Sequence, residues 1–180
     1  MYSPIPWAAM ARPPTAVQDE IRQTRPFASR SEEGVVALAR TADLMRRSLT
    51  RVIEPHGITL QQYNVLRILR GAGSDGLPTL EIASRMVERA PGVTRLLDRL
   101  ETKALVRRQR GPRDRRQILC WITPAGLGLL EELDGPMQDG ARRFMAPLGG
   151  PDLPTFIRLL DELRAGAQDP GHPTIPDDEP

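Results

Sequence analysis

The sequence predicts a mainly helical chain with one small β-hairpin, and three observations predict it. Apolar residues recur at spacings of three and four through most of residues 31–165. Two short β-prone runs, "LVRRQR" and "QILCWI", flank the loop "GPRDR" between them. Aromatic residues make up only 4% of the chain, so its core rests on Leu, Val, Ile, Met and Ala.

Residues 1–30 are Pro-rich, have no helical period and read as a largely irregular arm. Ser31 can N-cap the first long helix, with Glu32 and Glu33 in its positive first turn. Val35, Leu38, Ala42, Met45, Leu49 and Val52 then form a heptad seam. That seam needs an apolar partner, from this chain or from a second copy. "EPHG" ends the helix.

Thr59 and Gln62 form a T-x-x-Q capping box for a helix carrying Leu60, Tyr63, Val65, Leu66, Ile68 and Leu69. "GAGSDGLP" closes it. Thr79 can cap the short helix "LEIASRMV". "RAPG" turns the chain into "PGVTRLLDRLETK", with Pro91 suited to the first helical turn. A short helix, a brief turn and a second helix make a helix-turn-helix, and the hairpin after it supplies a wing.

Thr123 and Pro124 supply N-cap and first-turn residues for a helix over about 123–147, which Gly135-Pro136 is expected to kink. Leu127, Leu130, Leu133, Met137, Phe144, Met145 and Leu148 mark its buried face. "PDLPTFIRLLDELRAG" is a last amphipathic helix. Residues 166–180 are polar, acidic and Pro-rich, and are expected to be disordered. The predicted fold class is thus mainly α with a β-hairpin wing, a winged helix-turn-helix between long N- and C-terminal helices.

Charge locates the functional face. The chain has a formal net charge of +2, yet residues 85–116 hold eleven basic and four acidic side chains, a net of +7 against −5 for the rest. A basic island on an acidic chain is the footprint of a polyanion-binding surface. The bland alternative is a solvated charged face. Six arginines crowd residues 105–123, where like charges repel unless something negative offsets them. In a winged helix-turn-helix the second helix enters the major groove of double-stranded DNA by its N-terminal end. Thr94 and Arg95 lie there as candidate base readers, Arg99 one turn on as a phosphate contact, and Gly92 where the backbone can approach closely. The wing tip, with Arg113, Asp114, Arg115 and Arg116, would reach the adjacent minor groove, where a narrow groove favours Arg.

Several functions are disfavoured. Cys120 is the only cysteine, so no internal disulfide or C-x-x-C motif exists. It is expected to be a small buried strand residue. His56 and His172 lack ligand partners at metal spacing, and neither metal nor cofactor is expected. No Ser/His/Asp set, phosphate loop or coherent carboxylate pair points to an enzyme. No stretch approaches the ~20 apolar residues of a membrane span, and no basic-then-apolar signal opens the chain. A cytoplasmic protein without a membrane partner is expected.

The strings "ITLQQYNVLRIL", "EIASRM", "VTRLLDRLETKALVRR" and "PRDRRQILCWITPAGLGLL" stand in order at spacings that resemble the MarR family of bacterial transcription regulators. The resemblance covers roughly residues 31–165. It implies a homodimer held by the first and last two helices, here 31–57 and 123–165, around a DNA-binding segment, 58–122. It implies a pseudo-palindromic operator, with half-sites about 34–36 Å apart. By position it places Arg116 in the minor groove, with Asp114 holding it through an ion pair. It also implies a small phenolic or lipophilic acid effector between the dimer helices and the DNA-binding lobe, with Arg40, Arg47, His56, Tyr63 and Arg67 as candidate contacts. Together these imply a repressor released by its effector; the alternative is a winged-helix protein-interaction module without specific DNA binding. Two departures stand out. Ala104 replaces the glycine of the family's "K-G-L-V", and the cysteine of the family's peroxide sensors is missing from the first helix.

Overall fold

The computed structural model describes residues 17–88, 92–111 and 117–167. Their elements run α1 (Val17–Glu20), α2 (Arg30–Ile53), α3 (Leu60–Ala72), β1 (Leu77–Pro78), α4 (Thr79–Arg85), α5 (Val93–Thr102), β2 (Val106–Arg110), β3 (Ile118–Ile122), α6 (Pro124–Met145) and α7 (Asp152–Ala167). This is a winged helix-turn-helix embraced by long helices from either end of the chain.

The arm is partly ordered where irregularity was expected. The single turn α1 sits against α2, with Glu20 2.8 Å from Arg40. The cap of α2 is Ser29, not Ser31. Ser29 is extended, and its Oγ accepts from the Glu32 N–H at 3.1 Å. Glu32 in turn accepts from the Ala28 N–H at 2.7 Å. The capping box of α3 forms as read, with Thr59 and Gln62 each bonding the other's backbone.

Thr79 does not cap α4. The N-cap is Pro78, because Leu77 and Pro78 are drawn out as a strand. They pair antiparallel with Leu119 and Cys120, giving the sheet order β1-β3-β2 where the sequence predicted only a hairpin. The β2–β3 hairpin pairs Val106 with Ile122 and Arg110 with Ile118. Gly76 must be glycine: its φ is +68°, and a Cβ there would lie 2.5 Å from the Trp121 indole.

The core belongs to the winged lobe. Ile53, Val65, Leu66, Ile82, Leu97, Leu100, Val106 and Cys120 are fully or almost fully buried there, and Leu130 and Leu133 bring the first half of α6 onto them. α6 begins against the sheet at Gly126, where a Cβ would meet the Leu105 carbonyl at 2.4 Å. It runs as one helix through Pro136 to Met145. Leu127, expected on its buried face, is exposed.

The heptad seam of α2 divides in two. Leu49 and Val52 close on α6 at Gly140. Val35 and Leu38 are 68% and 44% exposed, and together with Phe156, Leu160 and Leu163 of α7 they line an open apolar groove. α7 buries no residue at all within one chain. Among the described residues, no helix is long and apolar enough to cross a membrane.

Candidate nucleic-acid interface

α5 has a clean two-sided pattern. Val93, Leu97 and Leu100 are buried, while Thr94, Arg95, Asp98 and Arg99 are exposed along the opposite face. The helix opens at Gly92, whose φ of +94° is open to glycine at low cost. The Gly92 carbonyl accepts from the N–H groups of Arg95 and Leu96, at 2.9 and 3.2 Å. The turn before it is held by Asn64, whose Oδ1 accepts from the Val87 N–H at 2.9 Å. Among the described residues, no carboxylate forms an ion pair with Arg95 or Arg99. Thr94, Arg95 and Arg99 are therefore presented together at the N-terminal half of one exposed helix face.

α5 ends in a left-handed turn. Ala104 has φ +56°. Its N–H bonds the Glu101 carbonyl at 2.8 Å, and the Leu105 N–H bonds the Leu100 carbonyl at 3.0 Å. This double closure is the Schellman arrangement, in which the left-handed residue is most often glycine.

Arg113, Asp114, Arg115 and Arg116 lie outside the described residues. The strands that carry their loop are closed by the Gly111 N–H on the Gln117 carbonyl, at 2.9 Å. The wing arginines do not all wait for an external anion. Arg107 lies 4.1 Å over the Trp121 ring, whose Nε1 donates to the Ser74 carbonyl at 3.0 Å. Arg108 is held by two carboxylates of α5, Asp98 and Glu101, each at 2.6 Å. Part of the like-charge repulsion is thus relieved inside the fold, which the sequence reading missed.

Cys120 is fully buried beside Thr79, whose Oγ1 is 3.9 Å from its Sγ. Burial pushes the thiol pKa up, which disfavours the reactive thiolate. Among the described residues, no group of three His, Cys, Asp or Glu could hold a metal.

The five candidate ligand contacts do not converge. Tyr63 and Arg67 do share a cavity of about 350 Å³ between α3, α6 and the end of α2. The Arg67 guanidinium lies 5.9 Å from the Tyr63 ring. Burial raises the Tyr63 pKa above its ordinary value, with Arg67 opposing the shift. Arg40 and Arg47 are instead taken up by Asp43 on α2, and His56 faces Glu132 at 3.8 Å. The cavity gains two residues that the sequence reading did not name. Arg70 grips Asp134 across it with bonds of 2.8 and 3.2 Å. Arg70 follows Tyr63 by seven positions and Arg67 by three, so helical spacing alone could have found it.

Known proteins share this architecture. A family model described as the MarR family matches residues 58–118. The chain is 30% identical over 118 residues to the multiple antibiotic resistance protein MarR of Salmonella typhimurium, an overlap of 65% of this chain and 81% of that one. The crystal structure of a MarR transcription factor from Planctomyces limnophilus is 37% identical, with a TM-score of 0.60, covering 76% of this chain and 99% of the other. A MarR mutant from E. coli complexed with operator DNA is 27% identical, with a TM-score of 0.63, over 71% of this chain and 90% of that one.

Proposed function

The chain belongs to the MarR family, and from that premise we propose that it is a homodimeric repressor that binds a specific double-stranded DNA sequence and is released by a small-molecule effector. The observation that carries this reading is the exposed face of α5. There Thr94, Arg95 and Arg99 stand together, the arginines without a carboxylate among the described residues, beside a strongly basic wing. Thr94 and Arg95 read base edges, and Arg99 meets a phosphate. Arg113, Arg115 and Arg116 approach the neighbouring minor groove, with Asp114 orienting Arg116.

The open groove along α2 and α7 supports the dimer, because a second copy supplies the apolar surface that one chain lacks. Two-fold symmetry then pairs two reading helices with a pseudo-palindromic operator, half-sites about 34–36 Å apart.

The effector is a small phenolic or lipophilic acid seated in the cavity of Tyr63, Arg67 and Arg70. That cavity lies between the winged lobe and a long helix. A ligand there shifts DNA affinity by its differential affinity for the binding and non-binding arrangements of the two lobes.

Fluorescence anisotropy on the duplex upstream of the protein's own gene, against a scrambled duplex over a salt series, tests the reading. The expected result is tight binding to the native duplex alone, with a steep log-log salt dependence. Equal, weak binding to both duplexes, and to every sequence selected from a random pool, would sink it.

A further inference from the structure

We propose that Arg108 is a positioning residue for sequence reading, a clamp that sets the recognition helix against the wing and cancels the acidic charge on its DNA-facing side. The inference rests on the DNA-binding reading above.

Among the wing arginines, Arg108 has the most basic-looking context in sequence and the least basic one in space. Its side chain is only 18% exposed. Its Nε and Nη2 both donate to Glu101 Oε2, at 2.8 and 2.6 Å. The same Nη2 lies 2.6 Å from Asp98 Oδ1. Its backbone N–H donates to the other oxygen of Glu101, at 3.1 Å. One residue of β2 therefore holds two carboxylates, one turn apart, of α5. These contacts raise the Arg108 pKa, Glu101 being the main cause, so the charge is permanent.

Two consequences follow. First, Asp98 lies on the same exposed face as Thr94, Arg95 and Arg99. An unpaired carboxylate there would repel the phosphates those residues approach, and Arg108 neutralises it. Second, the fork fixes both the rotation of α5 about its axis and its distance from the wing. Reading bases in one groove while the wing reaches the next requires that relation to be held to within about 0.5 Å. A lysine cannot do this, because a point charge lacks the planar two-sided fork. Arg108 is thus spent inside the protein and makes no phosphate contact.

The test uses the full chain, an operator duplex selected by the wild type from a random pool, and a scrambled duplex, in anisotropy titrations over a salt series. Arg108→Lys, which keeps the charge, and the exchange Glu101→Arg/Arg108→Glu, which keeps the pair, are compared with the wild type. Thermal melts verify that each variant is folded. Arg108→Lys is expected to lower the ratio of operator to scrambled affinity at least tenfold, with the salt slope unchanged. The exchange is expected to recover part of that ratio. A direct phosphate role predicts the opposite, since Arg108→Lys would keep the ratio and the exchange would lower the slope by about one contact. An unaltered ratio in Arg108→Lys, or an exchange no better than the single variant, overturns the clamp alone. A wild type that selects no sequence overturns the regulator reading and the clamp with it.

Discussion

Ala104 sits at φ +56° in the turn that closes the recognition helix. A Cβ in that region costs roughly 1 kcal/mol relative to glycine. Ala104→Gly should therefore stabilise the protein by about 1 kcal/mol, a rise of about 2–4 °C in Tm for a chain of this size. A melt unchanged or lowered would show that the greater freedom of glycine in the unfolded chain offsets the relieved strain. Arg95 makes a prediction about binding. Arg95→Ala should cost about 1–3 kcal/mol on the selected operator and flatten the preference at one base pair of each half-site. Arg116→Ala should weaken operator binding, and unchanged affinity in both variants would refute the docking proposed for helix and wing. The residue scale was only partly legible in sequence. The departure at Ala104 and the exposure of Thr94, Arg95 and Arg99 follow from local pattern. The grip of Arg70 on Asp134 joins residues 64 positions apart, and no local period encodes it.

Helices α3 and α6 are joined by that grip, and its strength depends on pH. The Arg70 hydrogen bond holds the Asp134 carboxyl below its ordinary value of 3.8. A carboxyl depressed in the folded state stabilises the fold above its unfolded pKa, and the contribution is lost as pH falls through the folded value. Asp134→Asn should consequently lower the Tm at neutral pH. The gap from the wild type should narrow as the pH drops below 3.8. A gap of constant size in melts from pH 7 to 2 would show that ionisation plays no part. The elements themselves were legible where the periodicity is long, as in α2, α3, α5, α6 and α7. Their starts were less so. Ser29, not Ser31, has Glu three residues on, so the capping-box rule pointed to the right serine. The strand Leu77–Pro78 has two residues, one of them proline. It exists only because β3 is there to pair with it, a partner more than forty residues away.

At the scale of the molecule, the winged lobe is complete in one chain and the long helices are not. Val35, Leu38, Ile157 and Leu163 remain 44–68% exposed on neighbouring faces of α2 and α7. Leu163→Asp should leave the winged lobe folded and convert a dimer into a chain of 20.0 kDa, measured by sedimentation. A variant that still sediments as a dimer would place the contact elsewhere. The seam of α2 announced this surface in sequence without saying whether one chain or two would cover it, because heptad spacing fixes a face and not its occupant. α7 carries the matter one step further. It spans 16 residues and buries none of them alone, and so short a helix is marginal in water without packing. Dilution should therefore erase part of the helical circular dichroism together with the partner. Occupancy of the operator then rises with the square of the free chain concentration, so a modest change in synthesis or turnover moves the gene between off and on.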